Sequence, residues 1–169
     1  MIIGVMSDTH GNRRLMHQVA DMMEAEFGVE LILHLGDDYC DGTELDMAGH
    51  PVRQVPGLWC REYHDSAIPR QFVTDCEGLS VACVHSPKDL RHIERAVAII
   101  FFGHTHSALI QLRGRSLYVN PGHLKGENSR SERPSFAIIE VGENEVHVAI
   151  HETDGLVRME ETVLRSKLA

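Results

Sequence analysis

A chain of 169 residues with 43% hydrophobic content can bury one core without disulfides or a partner, so we expect a single domain over residues 1–169. The formal net charge of −9 argues against a general nucleic-acid binder, because affinity for a phosphate backbone comes mainly from Lys and Arg. No apolar run is long enough to span a bilayer and no leader-like segment opens the chain, which predicts a cytoplasmic protein without membrane contact.

The first third of the chain predicts the opening of an α/β sheet. Residues 1–6 form a short apolar run, and apolar side chains at helical spacing between Leu15 and Met23 predict a helix that ends near Gly28. Residues 31–35 and 51–55 predict two more strands. Strand, helix and strand in this order are typical of an α/β protein.

The remainder of the chain predicts mostly strands. Residues 70–75 and 79–85 predict a hairpin that turns at Glu77-Gly78, and a brief helix is expected from 87 to about 95. Residues 96–102 are apolar enough for a buried strand. Antiparallel strands are predicted at 108–113, 116–120, 135–141 and 146–151, whereas 156–164 is compatible with a strand or a short helix.

Potential metal ligands follow four of the predicted strands. They are Asp8 with His10, Asp37, His85, and His104 with His106. A single Asp-x-His or His-x-His pair is a weak signal, because a lone histidine is more often a hydrogen-bonded core or surface residue. Four such groups at strand ends are informative, since the carboxyl ends of strands in open α/β sheets converge on the ligand site. The pattern predicts a metal centre.

The residue types indicate which ions would bind. Carboxylates and imidazoles without a clustered thiolate suit divalent manganese, iron or zinc. A carboxylate can bridge two ions, and two ions can share a hydroxide that attacks phosphorus, with Asp37 as the natural bridge. The four cysteines form no Cys-x-x-Cys pair, so reduced thiols are expected.

In this order, four motifs resemble the calcineurin-like metallophosphoesterases: Ser-Asp-Thr-His-Gly-Asn at 7–12, His-x-Gly-Asp at 34–37, His85, and Gly-His-Thr-His at 103–106. The short chain and the Asn120-Pro121-Gly122 turn resemble the small bacterial and archaeal phosphodiesterase branch, which also includes the eukaryotic retromer scaffold subunit. The resemblance covers residues 1 to about 150. It implies a four-layer α/β/β/α sandwich of two mixed sheets, with metals at the sheet edge.

The resemblance also implies residue roles. One metal would be held by Asp8, His10 and His106, the other by His85 and His104, and both by Asp37. The implied cofactors are two divalent ions, with manganese expected and iron, zinc or nickel as alternatives. Asp37, His85 and His104 would be catalytic, Asn12, Asp38 and His123 would contact a small phosphate-ester substrate, and the chain could form a homo-dimer or tetramer.

One position departs from the family pattern. The family has an Asn ligand after the third strand, where this chain reads Gly57-Leu58-Trp59-Cys60. Leu58 has no donor or acceptor, so the second metal site loses a ligand unless water, Asp38, Cys60 or His64 replaces it. Cys60 is the candidate replacement ligand, against the alternative of an ordinary buried thiol. Trp59 would either line the pocket and stack on a substrate base or serve in packing.

A second departure is His123, where the family usually has Ser. His123 would contact a phosphate or protonate the leaving group, with a surface histidine as the alternative. Arg130 and Arg133 lie in a polar loop and would either pair with phosphate oxygens or remain solvated.

Two functional hypotheses follow. In the first, the protein is a metal-dependent phosphoesterase, preferably a phosphodiesterase, that uses in-line attack by a hydroxide shared between two ions. In the second, the weakened second site leaves a non-catalytic, metal-binding scaffold of the same fold, which would require an exposed apolar patch.

Overall fold

The structure is a computed structural model that describes residues 1–93, 96–126 and 132–169. Within these ranges the helices are α1 (Arg13–Phe27), α2 (Tyr39–Met47) and three 3₁₀ helices at Arg61–His64, Pro87–His92 and Arg165–Lys167. The strands are β1 (Ile2–Met6), β2 (Leu31–His34), β3 (Val52–Gln54), β4 (Gln71–Cys76), β5 (Leu79–Val84), β6 (Ile99–Phe102), β7 (Leu109–Arg113), β8 (Ser116–Asn120), β9 (Ser135–Val141), β10 (Glu145–Glu152) and β11 (Val157–Leu164).

The strands form two mixed sheets. The first has the order β11-β10-β9-β1-β2-β3, in which β1, β2 and β3 are parallel and the other pairs are antiparallel. The second has the order β4-β5-β6-β8-β7, with β5, β6 and β8 parallel. Parallel neighbours bring their carboxyl ends to the same sheet edge, and in both sheets those ends carry the polar motifs.

The two sheets pack face to face, because their strands alternate apolar side chains toward each other. Val5 and Leu33 of the first sheet share this core with Phe101 and Val119 of the second. A separate cluster packs α1 against the outer face of the first sheet, with Met16 among its fully buried members. The predicted α/β/β/α sandwich of two mixed sheets is confirmed.

The outer face of the second sheet is covered more thinly than that of the first. Val84 and Phe102 pack there with Leu90 from the 3₁₀ helix at Pro87–His92. The helix predicted over 87–95 is therefore a 3₁₀ helix at its start, and residues 94–95 lie outside the described ranges. Neither α-helix in the described ranges is long and apolar enough to cross a membrane.

The predicted hairpin is present, and its turn explains its register. Glu77 and Gly78 have φ angles of 53° and 80°, so both central residues of the two-residue loop are left-handed. Such primed turns match the twist of the flanking strands, and glycine takes this conformation without strain. β4 and β5 consequently pair from Cys76 opposite Leu79 to Gln71 opposite Val84.

The sequence did not predict α2, and it left 156–164 ambiguous. α2 buries Asp41, Gly42 and Leu45, so it has no apolar stripe for periodicity to detect. Residues Val157–Leu164 form β11, an edge strand paired antiparallel with β10. All four cysteines are free thiols.

Candidate metal centre

The predicted ligands come together where the carboxyl ends of four strands meet. Asp8 and His10 follow β1, Asp37 follows β2, His85 follows β5, and His104 and His106 follow β6. β1 and β2 are parallel neighbours in one sheet, and β5 and β6 are parallel neighbours in the other. The sandwich therefore delivers ligands to one edge from both sheets.

The first candidate group consists of Asp8, His10 and His106, whose ligand atoms all lie within 4.8 Å of one another. His106 Nε2 is 3.2 Å from Asp8 Oδ1 and 3.1 Å from His10 Nε2. Two nitrogens that bind one tetrahedral ion at 2.0–2.1 Å are separated by about 3.3 Å. The two imidazoles thus already have the spacing of ligands to a common cation.

The second candidate group consists of Asp8, Asp37 and His85, again within 4.8 Å. His85 is fully buried, and its Nδ1 lies 2.7 Å from the carbonyl oxygen of Leu35, so Nδ1 carries the proton. Its Nε2 therefore presents a lone pair, yet it is buried and has no hydrogen-bond partner. A buried lone pair without a partner beside two carboxylates is the arrangement that a bound cation would satisfy.

Asp37 and His104 connect the two groups. Asp37 Oδ2 is 2.6 Å from His10 Nδ1, so Asp37 contacts the first group as well as belonging to the second. The backbone N–H of His104 donates to Asp8 Oδ2 at 2.8 Å, and its ring centroid is 5.2 Å from that of His85. The sequence named Asp37 as the shared carboxylate, whereas the structure puts Asp8 in both groups.

The donor set fits divalent cations. The two groups contain two carboxylates and three imidazoles, and neither contains a thiol. Oxygen and nitrogen ligands of this kind suit manganese, iron and zinc and disfavour copper(I). The geometry of His85 also fits, since Nδ1 is engaged with the Leu35 carbonyl and Nε2 is the nitrogen left for a metal.

Electrostatics keep the central carboxylate ionised. Burial alone would raise the pKa of Asp8, but the hydrogen bond with His106, the charge on His85 and the hydroxyl of Ser7 outweigh it and lower the pKa below its ordinary value. The opposite holds for Asp38, whose pKa is raised by burial and by the charges of Asp37 and Asp41.

The backbone at the ligands is unusual. Asp8, His10, His104 and His106 have φ angles of 54°, 47°, 66° and 60°, a left-handed conformation that side chains other than glycine rarely adopt. Such residues cost about 1–3 kcal/mol each and persist where the surroundings hold them in place. Four of the six predicted metal ligands are thus held by the loops after β1 and β6 at the expense of local stability.

Several residues that the sequence did not single out hold these loops. Ser7 Oγ donates to Asp8 Oδ2 at 2.6 Å. Asn120 Nδ2 donates to the carbonyl oxygen of Gly103 at 3.1 Å and to Thr105 Oγ1 at 2.9 Å, and Asn120 is fully buried. Ser7 belongs to the motif at 7–12 and Asn120 to the Asn120-Pro121-Gly122 turn, so membership of these motifs was the sequence feature that could have indicated their roles. Asp41, which accepts a hydrogen bond from Thr9, had no such signal.

Gly57 lets the segment after β3 approach the centre. A Cβ atom on Gly57 would clash with the backbone of Asp37, and one on Gly36 would lie 2.7 Å from Gly57 N and 3.0 Å from His85 Nδ1. Only a hydrogen atom fits at either position. The segment after β3 therefore lies directly against the loop that carries Gly36 and Asp37.

A tight turn follows Gly57. The N–H of Cys60 donates to the carbonyl oxygen of Gly57 at 3.3 Å, and the Cys60 thiol donates to the same oxygen at 3.1 Å. Leu58 and Trp59 occupy the tip of this turn, and Trp59 is 85% exposed, so the packing interpretation of Trp59 is wrong. Neither candidate group includes Cys60, whose thiol donates within this turn, and its role as a replacement ligand stays a prediction.

His123 is buried, which corrects the surface interpretation. Its Nε2 is 3.1 Å from the carbonyl oxygen of Glu132, and its Nδ1 accepts from the N–H of Lys125 at 3.3 Å. Burial lowers its pKa, and both ring nitrogens have hydrogen-bond partners within the protein, whereas its predicted contact with substrate stays a prediction. Its ring lies 5.4 Å from the ring of His106, so His123 packs beside that ligand.

The remaining predicted residues lie around the centre. Asp38 is half-buried at the N-cap of α2, and Asn12 at the N-cap of α1 donates to the carbonyl oxygen of Lys125 at 3.4 Å. Asn12 also lines a groove of about 570 Å³ together with Arg14 and Arg133. Arg133 pairs with Glu152 at 2.8 Å, His64 is exposed, and Arg130 lies outside the described residues.

Comparisons with known proteins identify the family. Residues 1–144 match the calcineurin-like phosphoesterase superfamily domain. A probable metallophosphoesterase from Methanothermobacter thermautotrophicus is 32% identical over 133 residues, which cover 72% of this chain and 76% of that protein.

Two solved structures share the fold. The phosphoesterase YfcE from E. coli aligns with a TM-score of 0.72 at 18% identity, covering 95% of this chain and 98% of that one. Zinc-bound Vps29 from Entamoeba histolytica aligns with a TM-score of 0.68 at 18% identity, covering 98% and 99%. Because the superfamily domain spans most of the sequence and the relative exceeds 30% identity, the chain belongs to the calcineurin-like phosphoesterase superfamily and is a metallophosphoesterase.

Proposed function

We propose that the protein is a dinuclear, manganese-dependent phosphodiesterase acting on a small phosphate diester. The observation that carries the proposal is His85, whose buried Nε2 has no hydrogen-bond partner and faces Asp8 and Asp37. With Asp8 common to both groups, the cluster supplies ligands for two adjacent cations. When bound, two divalent ions activate water and neutralise the charge that develops on the phosphate.

The charge around the centre supports a diester over a monoester. A phosphate monoester carries close to two negative charges near neutral pH, because its second pKa is about 6, whereas a diester carries one. The centre is surrounded by carboxylates from Asp8, Asp37 and Asp38. Arg13, a nearby cation in the sequence, pairs with Asp41 at 3.5 Å and with Glu44 at 3.0 Å. With Arg13 paired to two carboxylates, the bound ions would neutralise the phosphate, and the single charge of a diester needs less neutralisation than the two charges of a monoester.

The chain's own residues divide the work. Asp8, His10 and His106 would hold one ion, and Asp37, His85 and His104 would hold the other, with Asp8 and Asp37 near both. The hydrogen bonds from Ser7 and from the His104 N–H fix the Asp8 carboxylate, so the site is preorganised and little reorganisation is needed during the reaction. Asn12 and Asp38, which lie at the rim, would contact the substrate.

The competing hypothesis is a non-catalytic metal-binding scaffold of the same fold. It is favoured by Leu58, which stands where the family has a ligand. The large exposed apolar side chains of the described residues lie on α2, near β3, on β7, and before or along β11. The scaffold would need an apolar patch away from the metals, and three of these six, Leu156, Val157 and Leu164, do lie before or along β11. The enzyme is favoured instead by the intact ligand groups, in which Asp8, His10 and His106 come together.

Hydrolysis of bis(p-nitrophenyl) phosphate by manganese-loaded protein tests the proposal. We expect turnover that disappears with a chelator and returns with manganese, and a rate at least about 100-fold lower in Asp37→Asn. The matched control is Asp46→Asn, which makes the same chemical change at an exposed position of α2. Equal activity in wild type and Asp37→Asn, or no activity in the manganese-loaded wild type, would reject the enzyme in favour of the scaffold.

A further inference from the structure

Trp59 occupies a position that the metal chemistry does not explain. It is the only tryptophan in the chain, and 85% of it is exposed. Burial of a tryptophan side chain removes a large apolar area from water, so leaving it exposed sacrifices stability. A packing role is excluded by this exposure, and a functional role has to be sought in what lies nearby.

The metal centre lies nearby. β2 and β3 are parallel, and the N–H of Val55 donates to the carbonyl oxygen of His34 at 3.1 Å, so the two strands end at the same edge. Beyond that edge Gly57 packs against the backbone of Asp37. Trp59 is two residues from Gly57, and two residues span at most about 7 Å. The backbone of Trp59 therefore lies within about 7 Å of Gly57, which puts its side chain within reach of a substrate bound at the centre.

The turn that carries Trp59 is braced. The N–H and the thiol of Cys60 both donate to the carbonyl oxygen of Gly57, which closes the turn around Leu58 and Trp59. A platform on a braced turn loses little conformational freedom when a ligand stacks on it, which favours binding.

The surroundings of Trp59 do not form a protein-docking patch. The turn is followed by Arg61, whose side chain is 93% exposed and pairs with Glu62 at 2.8 Å. Interfaces between proteins need a contiguous apolar area, whereas Trp59, between a half-buried Leu58 and the charged pair of Arg61 and Glu62, offers a single flat indole face. A flat indole face suits a planar aromatic ring, and base–aromatic stacking tolerates any base.

We propose that Trp59 is a stacking platform that selects phosphate esters carrying a planar aromatic group, such as a nucleobase, while the phosphate occupies the metal centre. This inference rests on the proposed function, because it assumes that the phosphate binds beside Asp37. It extends that function by naming the substrate class. The flat apolar indole supplies the contact to the ester group, which the carboxylates and imidazoles of the centre cannot provide.

Binding of two phosphonates tests the platform without any turnover. Phenylphosphonate and methylphosphonate present the same phosphonate group through a carbon–phosphorus bond that is not an ester, and they differ in the aromatic ring. Isothermal titration calorimetry on manganese-loaded protein is expected to show phenylphosphonate binding about tenfold more tightly in wild type. The preference should vanish in Trp59→Ala and survive largely in Trp59→Phe.

Two further readouts complete the design. Met47→Ala is the matched control, since Met47 is 83% exposed at the end of α2, and it should keep the tenfold preference. Because the chain has one tryptophan, its fluorescence reports on Trp59 alone, and phenylphosphonate should change the emission at concentrations where methylphosphonate does not. An equal affinity for both phosphonates in wild type, or an unchanged preference in Trp59→Ala, overturns the platform.

The outcomes separate this inference from the proposed function. Hydrolysis of a phosphodiester with equal affinities for both phosphonates would retain the enzyme and reject the platform. A tenfold preference that depends on Trp59, without hydrolysis of any diester, would retain the aromatic phosphate site and reject the catalytic function.

Discussion

The two sides of the metal centre are built differently. On the side of β1 and β6, Asp8, His10, His104 and His106 all adopt left-handed backbone conformations, held by Ser7 and Asn120. On the side of β3, the turn at Gly57 carries an apolar Leu58 and an exposed Trp59. The left-handed residues on the first side lower local stability but hold metal ligands in place. The turn after Gly57, on the second side, carries no metal ligand at Leu58 or Trp59. Because Leu58 offers no ligand beside Asp37, we infer that the site of Asp37, His85 and His104 binds its ion more weakly than the site of Asp8, His10 and His106.

The largest expected effect comes from the residue that belongs to both groups. Asp8→Asn keeps the shape of the side chain but removes its charge, so both sites should lose affinity and the rate of phosphodiester hydrolysis should fall about 1,000-fold. His10→Ala, which changes only the first group, should abolish one binding event and leave the other measurable by calorimetry. Retention of two tightly bound manganese ions in Asp8→Asn would contradict the claim that Asp8 serves both metal sites.

A substitution at Gly57 tests whether the β3 side must pack this closely. A methyl group there would clash with the backbone of Asp37, so Gly57→Ala should lower the free energy of unfolding by about 3 kcal/mol. Gly126→Ala is the control for stability, since a Cβ at Gly126 meets nothing within 4 Å. Chemical denaturation of the metal-free proteins measures both, and equal stabilities would show that the turn does not touch the Asp37 loop.

His34, at the end of β2, is fully buried, and its protonation makes the free energy of unfolding depend on pH. Burial lowers its pKa from 6.5 to about 4, so the unfolded chain binds a proton that the folded protein does not. Stability from this residue is therefore present above pH 6.5 and is lost as the pH falls toward 4. The metal-free protein should lose about 2 kcal/mol between pH 7 and pH 5 through His34.

The His34→Leu variant isolates this contribution. Its free energy of unfolding should fall less steeply between pH 7 and pH 5 than that of wild type, because Leu does not titrate. His147→Leu, which removes a part-exposed histidine of β10, should keep the wild-type slope. Identical slopes in wild type and His34→Leu would contradict a neutral, buried His34.

The smallest expected effect comes from restoring the family's ligand. Leu58→Asn supplies a carboxamide oxygen on the β3 side, so the affinity of the weaker manganese ion should rise about tenfold. Leu58→Ala, which removes apolar volume without adding a ligand, should leave that affinity unchanged. The first binding event should be the same in all three proteins. A tenfold rise in the affinity of the stronger manganese ion, with no change for the weaker one, would contradict the assignment of Leu58 to the weaker site.

The fold was predictable where hydrophobic patterns and turn residues agreed. Strands β8 and β9 and the Glu77-Gly78 hairpin have the predicted bounds to within one residue. α2 was not predicted, because it is held by polar contacts such as that between Thr9 and Asp41, which periodicity cannot detect.

The centre was predictable from motifs at strand ends, but its inner contacts were not. Asp8, His10, Asp37, His85 and His106 converge as the sequence indicated. That Asp8 belongs to both groups depends on how far each side chain reaches, which spacing along the chain does not specify. The burial of His123 and the hydrogen bond from Cys60 to Gly57 likewise arise from the tertiary structure. Each depends on residues that meet only in the folded protein.

The central claim is that the protein holds two divalent ions with unequal affinity. Calorimetric titration of metal-free protein with manganese, checked by elemental analysis of the saturated sample, tests it most directly. We expect two ions per chain and two separable binding events, of which the second is at least about tenfold weaker. One ion per chain at saturation, or two ions of equal affinity, would contradict the account.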